Sequence, residues 1–221
     1  MLAFKNENKK VWDKIYYEGK ILDYPDDNLV RFVSYLFKEP QNKKLLDLGF
    51  GSGNNLIHLI KKGFKCYGCE ISPVALRLTR KRLNKLKLSA DLKLLKEKIP
   101  YADSFFDIVV AWQVIYYNDR GSLKFIIQEM DRVLKRGGKF LVTLVKKDDS
   151  KVINSSDKIS RNVYRINSGL LSQKGAIIFV VDDKNDIKKL FNDFTNLKIG
   201  CTEWKFLGFT SSHWVIYGEK I

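Results

Sequence analysis

Between residues 44 and 145 the chain alternates short β-rich runs with longer amphipathic ones, and no other feature narrows its possible folds as far. Strand candidates fall at residues 44–48, 64–70, 91–95, 106–112 and 139–145; helical patterns fill the gaps at about 53–62, 73–87 and 121–135. Strands separated by helices of this length must be joined by crossovers, so they lie parallel, with helices covering both faces of the sheet. The pattern therefore predicts an α/β, Rossmann-like three-layer sandwich.

The flanks are less regular. Two helical patterns precede the alternation, one over residues 8–19 and one that places Pro25 at the first helical position, Asp26 and Asp27 in the first turn, and an end near residue 38. After Val145 the stretch "KKDDSKVINSSDKISRNVYRINSG" reads as polar and irregular, followed by the apolar "AIIFVVDD" and a short helix at about 183–194. Two last strands, 197–206 and 213–218, are separated by "LGFTSS", too short for a crossover helix, so they are expected to pair antiparallel. No linker composition appears, and the 221 residues are expected to form one domain: a helical lid at 1–40, a core at 44–145, an insertion at 146–181, and a closing helix and strand pair at 183–221.

The first strand runs into "LLDLGFGSGNN", where an Asp meets glycines at every second position. Carboxyl ends of parallel strands are where open α/β sheets bind ligands, and glycine lets a ligand lie against bare backbone. A dinucleotide fingerprint reads G-x-G-x-x-G; here Gly49 and Gly51 fit it, but Asn54 stands at the third glycine position. The run is instead D-x-G-x-G-x-G, from Asp47 to Gly53. An acid in that turn repels pyrophosphate but suits a ligand carrying an ammonium and a sulfonium, as S-adenosylmethionine does. Seventeen residues after Gly53, Glu70 closes the second strand, where an acid can accept from both hydroxyls of a ribose. The plainer alternatives are a turn-capping Asp47 and an ordinary strand-end charge at Glu70.

Taken in order, "LLDLGFGSGNN", "CEIS", "IPYADSFFDIVVAWQVIYY" and "EMDRVLKRGGKFLVTL" resemble the successive motifs of the class I S-adenosylmethionine-dependent methyltransferases, and the closing "SSHWVIYGEK" resembles their last strand. The resemblance implies a mostly parallel seven-stranded sheet with one antiparallel strand near its edge. It also implies S-adenosyl-L-methionine as cofactor, S-adenosyl-L-homocysteine as product, and no metal. Carried onto this chain, it places Asp47, Gly49, Phe50, Gly51, Gly53, Glu70 and Trp112 around the cofactor. The family often has Asp or Asn five residues before the proline of "IPYAD", accepting from the adenine amino group, and that position is Leu95 here. Adenine recognition then falls to backbone, to Glu97, or to apolar contacts from Ile71 and Ile99.

The motifs all concern the cofactor, so the acceptor side rests on position alone. Tyr116 and Tyr117 follow the fourth strand and His213 opens the last, which makes these three the catalytic candidates, with aromatic core and a capping histidine as their alternatives. Trp12, Tyr16, Tyr17 and Tyr24 resemble an aromatic lid, and Arg31 reads as a helix-surface cation. Cys66 and Cys69 form a C-x-x-C, but three residues apart on a strand their side chains face opposite ways, and no second pair exists, so they read as buried thiols.

A formal net charge of +15 suits an anionic partner, yet 31 Lys against 9 Arg, spread over the whole chain, reads better as a solvated surface than as a phosphate-reading groove. The densest cluster, "RLTRKRLNKLKL", has the pattern of a surface helix. The expected acceptor is therefore a small or sugar-like molecule; an RNA methyltransferase using the basic surface and a non-catalytic cofactor-binding member are the alternatives. Apolar runs stay under ten residues and the N-terminus lacks a signal-peptide core, so neither a membrane span nor secretion is indicated. Three cysteines give no disulfide framework, which fits a cytoplasmic location.

Overall fold

The computed structural model describes residues 5–153, 156–167 and 173–221. Two helices come first, α1 (Lys5–Tyr17) and α2 (Asp27–Leu36). The alternating region follows as β1 (Lys44–Leu48), α3 (Asn54–Lys61), β2 (Lys65–Glu70), α4 (Pro73–Lys85), β3 (Asp91–Leu94), β4 (Phe106–Ala111), α5 (Arg120–Val133) and β5 (Leu134–Lys146). Then come α6 (Ser150–Ile153), β6 (Ser156–Ser160), β7 (Val163–Ile166), β8 (Ile177–Val181), α7 (Lys184–Leu190), β9 (Phe194–Phe206) and β10 (Phe209–Lys220).

The main sheet runs β3-β2-β1-β4-β5-β10-β9, with β1 to β5 parallel and β10 antiparallel to both its neighbours. Chain order reverses between β1 and β4, which opens a crevice at their carboxyl ends. Side-chain alternation sorts the core into two layers. Leu46, Leu48, Val109 and Ala111 join the layer capped by α5 through Leu123, Ile127 and Met130. Leu45, Ile108 and Val110 face the other way, against Leu29 and Val33 of α2 and Leu56 and Leu59 of α3.

Three expectations need correction. First, the described residues hold three strands beside the seven expected: β8 pairs parallel with the far end of β5 at Val145 and Lys146, and β7 and β6 continue antiparallel beyond it. The stretch read as irregular therefore holds a hairpin, turned at Asn162 with φ 63°. Its β6 is almost wholly exposed, so backbone pairing holds it and no apolar period marks it. Second, α2 starts at Asp27 and its N-cap is Asp26, whose side chain accepts from the Leu29 N–H at 3.2 Å. A carboxylate acceptor at the cap outcompetes the proline signal one residue earlier. Third, β5 begins at Leu134, directly after α5, and an irregularity between its pairings at Phe106 and Ile108 takes up "KRGG", with Gly137 at φ 67°. Residues 1–4 of the expected lid, and residues 154–155 and 168–172 of the expected insertion, lie outside the described residues.

Candidate active site

The crevice at the carboxyl ends of β1, β2 and β4 holds a cavity of about 180 Å³. Its floor is the turn after β1, where Gly49, Gly51 and Gly53 all take positive φ, between 54° and 82°. Gly51 has no room for a side chain: a Cβ built there would lie 2.5 Å from the Tyr16 hydroxyl of α1. Glu70, at the end of β2, braces this turn from the side. One carboxylate oxygen accepts from the Gly51 N–H and the other from the Ser72 N–H, each at 3.0 Å. Burial pushes the Glu70 carboxyl above its usual range despite those two bonds. Each oxygen keeps a lone pair for a further donor.

Asp47 stands one layer below, on the β1 face shared with Leu45, and does not line the cavity. It is 2% exposed, and among the described residues its Oδ2 has no hydrogen-bond partner. Burial first and the neighbouring Glu70 second raise its pKa from 3.8 to about 7. An orphaned buried carboxylate oxygen is costly unless a proton or a cation reaches it.

Of the remaining cofactor candidates, Phe50, Ile71 and Trp112 line the cavity, and the Trp112 indole N–H is buried without a partner among the described residues. Gly53 caps α3 behind the lining. Glu97 and Ile99 do not reach it. Glu97 is exposed, and Ile99 is a fully buried core residue whose N–H donates to Glu129 at 2.9 Å. Leu95 does line the cavity, beside Ile71 and Ile126, so that wall is apolar where the family often has an acid.

The lid comes from α1. Trp12 and Tyr16 line the cavity, stacked with centroids 5.9 Å apart, whereas Tyr17 and Tyr24 are each 85% exposed. Buried Asn8 fastens the helix: its amide donates to the carbonyls of Tyr117 and Ile177, and its Oδ1 accepts from the Ile177 N–H at 2.7 Å. Asp13 accepts from the Ser72 hydroxyl. Arg82 ties down the segment between α1 and α2 through the Leu22, Asp23 and Ser52 carbonyls, and Arg80 donates to the Leu92 carbonyl. Two arginines of the most basic stretch are thus engaged with backbone. Arg31 pairs with Asp27 on an exposed face of α2, away from the cavity.

Tyr117 lines the cavity and meets Trp12 edge-on at 5.0 Å. Tyr116 does not line it. Its ring is buried beside that of Tyr117, and its hydroxyl bonds His213 Nε2 at 3.2 Å. His213 instead lines a second cavity of about 520 Å³, which shares Leu22, Asp26, Gln113 and Gln173 with the first. Burial, helped by the Lys151 charge, lowers its pKa to about 3, and burial lifts both tyrosines above their ordinary value. At neutral pH the three are uncharged. Sequence reasoning missed Asn8, Asp26 and Gln113 as site residues. Only Gln113 carried a positional signal, at the end of β4, where it holds φ 56° and donates its N–H to Thr143 Oγ1 at 2.6 Å.

Cys66 and Cys69 are buried in opposite core layers. Among the described residues no group of three or more His, Cys, Asp or Glu side chains is placed to hold a metal ion, and no helix is long and apolar enough to cross a membrane.

Residues 46–142 match the family model described as a methyltransferase domain. The chain is 28% identical over 137 residues to the sterol 4-C-methyltransferase of Caenorhabditis elegans, covering 60% of this chain and 40% of that one. It is 27% identical over 176 residues to the malonyl-[acyl-carrier protein] O-methyltransferase of Legionella pneumophila, covering 75% of this chain and 59% of the relative. It therefore spans less than two thirds of either relative's length. The fold superposes on a SAM-dependent methyltransferase of Methanosarcina mazei with a TM-score of 0.68 at 17% identity, covering 90% of this chain and 99% of the other.

Proposed function

The chain belongs to the class I S-adenosylmethionine-dependent methyltransferases, and from that premise we propose that it transfers the methyl group of S-adenosylmethionine to a small-molecule acceptor. One observation carries the reading: the bared backbone of Gly51 and the buried carboxylate of Glu70 meet at one end of the cavity, with acceptor capacity left on both carboxylate oxygens. That pairing suits a ribose, whose two hydroxyls need acceptors, lying on a turn with no side chain in the way. Ile71 and Leu95 offer an apolar wall for adenine. The unpartnered Trp112 N–H supplies a donor at the cavity wall.

When bound, S-adenosylmethionine supplies a methyl carbon already activated by a sulfonium sulfur. The chain's own task is to align the acceptor with that methyl and to keep water out. Trp12, Tyr16 and Tyr117 do the second, as an aromatic wall under a helix fastened by Asn8 and by the Asp13–Ser72 bond. With Tyr16 over Gly51, about 180 Å³ is below the usual 300–1,000 Å³ of small-molecule sites, so entry requires the Tyr16 side chain to move. Methyl-transferring relatives named for a sterol and for a carrier-bound malonyl group support a non-polymeric acceptor. Residues 146–181 contribute Lys151 and Gln173 to the second cavity, which supports that segment as part of the acceptor side. The free cysteines support a cytoplasmic setting.

Calorimetric titration with S-adenosylhomocysteine tests the reading. Glu70→Ala removes an acceptor of two charge-assisted bonds and should weaken binding roughly tenfold to a few hundredfold, and Glu70→Gln should weaken it less. Unchanged affinity in both variants would overturn the ribose assignment, and no binding to the parent protein would overturn the function.

A further inference from the structure

The second cavity reverses the sign of the molecule around it. The chain carries +15, yet this 520 Å³ space is lined by the carboxylates of Asp26, Asp27 and Glu203. The one lysine among its described lining residues, Lys151, is committed to Asp149, 3.4 Å away and fully buried. The partners of the rim carboxylates lie outside: Arg31 with Asp27 and Lys205 with Glu203, both at 2.9 Å on solvent-exposed side chains, pairs that an incoming cation displaces readily. Trp204 and Phe209 complete the wall, their rings 6.3 Å apart. Carboxylates beside aromatic faces make a site for an organic cation.

Asp26 stands where the two cavities join. One carboxylate oxygen caps α2 and the other lies 3.5 Å from the amide nitrogen of Gln113, the residue held at positive φ. We propose, resting on the methyltransferase reading above, that the acceptor is a small amine, bound as its ammonium among Asp27, Glu203 and the Trp204 ring and methylated on nitrogen beside Asp26. The ammonium first gives up a proton, through Asp26 to solvent. The nitrogen lone pair then forms the N–CH₃ bond, the S–CH₃ bond breaks with its electron pair going to sulfur, and a positive charge remains on the methylated nitrogen. Available proton acceptors agree with this choice. A hydroxyl acceptor needs a stronger base than the site holds, since burial lowers the His213 pKa to about 3 and so makes its imidazole a weak proton acceptor, and both tyrosines keep their protons.

The test pairs matched acceptors with labelled S-adenosylmethionine: ethanolamine against ethylene glycol, putrescine against 1,4-butanediol, and glucosamine against glucose. The expected result is label on nitrogen in at least one amine, at least tenfold faster than on its alcohol twin. Asp26→Asn keeps the helix cap and removes the charge, and should lower kcat/KM for that amine at least tenfold. Glu203→Gln should raise KM several-fold with kcat held and S-adenosylhomocysteine affinity within about twofold. Label on oxygen only, no label on any amine by a protein that binds S-adenosylhomocysteine, or indifference to Asp26→Asn would each overturn the amine assignment. A protein that binds no S-adenosylhomocysteine overturns the methyltransferase reading instead.

Discussion

Replacing Asp47 by Asn should remove a pH dependence of stability that the buried carboxylate imposes on the ligand-free protein. The folded pKa of about 7 stands against 3.8 for the exposed group, so the unfolded chain sheds this proton first as pH rises. Stability from this group is therefore whole below pH 3.8, falls through the window between 3.8 and 7, and is flat above it. At 1.36 kcal/mol per pH unit the loss at pH 8 is on the order of 4 kcal/mol and at pH 5 roughly 1.5, a difference of about 2.5 kcal/mol. An Asn amide cannot ionise but leaves a buried donor unpartnered, at about 1–3 kcal/mol independent of pH. The informative quantity is thus the change in ΔTm of Asp47→Asn between pH 5 and pH 8, which should favour the variant at pH 8 by roughly 5–10 °C for a chain of this size. Contributions from Glu70 and from His213, whose burial as the neutral form costs stability as pH falls from 6.5 toward 3, are common to both proteins and largely cancel. Scanning calorimetry across that range decides it. Parallel Tm profiles for variant and parent would mean that Asp47 is ionised and partnered in solution, and the argument from its orphaned oxygen would fail.

Two further outcomes follow from local geometry. Gly51→Ala places a methyl 2.5 Å from the Tyr16 hydroxyl at φ 54°, so it should lower Tm by several degrees and abolish S-adenosylhomocysteine binding in calorimetry; full affinity would mean that the ligand does not use this backbone. Cys66→Ala with Cys69→Ala removes two thiols from opposite core layers, so it should cost stability by chemical denaturation while leaving S-adenosylhomocysteine affinity intact, and metal analysis of the parent should find no stoichiometric zinc; one zinc per chain, lost in the double variant, refutes the reading of these residues.

The strand and helix rhythm from residue 44 to residue 145 determined the layered sheet by itself, because periods of 2 and 3.6 specify which faces are apolar and short helical connections leave only parallel pairing. The glycine turn and Glu70 were legible for the same reason: both belong to a local segment whose backbone geometry sets their positions. The hairpin at Ser156–Ile166 was not, since the exposed edge strand β6 is held by backbone pairing to β7, which pairs in turn with β8, and leaves no apolar period to read. Nor could local pattern separate Tyr116 from Tyr117. They are neighbours in sequence, and only packing against Trp12 on one side and His213 on the other sends one into the first cavity and the other behind it. The same holds for Glu97, which local order put near the adenine wall and the structure puts in solvent. Asp26, Lys151, Gln173 and Glu203 come from three separate segments, and their meeting around one space depends on long-range docking of the lid, the 146–181 segment and the β9–β10 hairpin. A sequence encodes such convergence only through the free energy of the whole packed molecule, which no local period expresses.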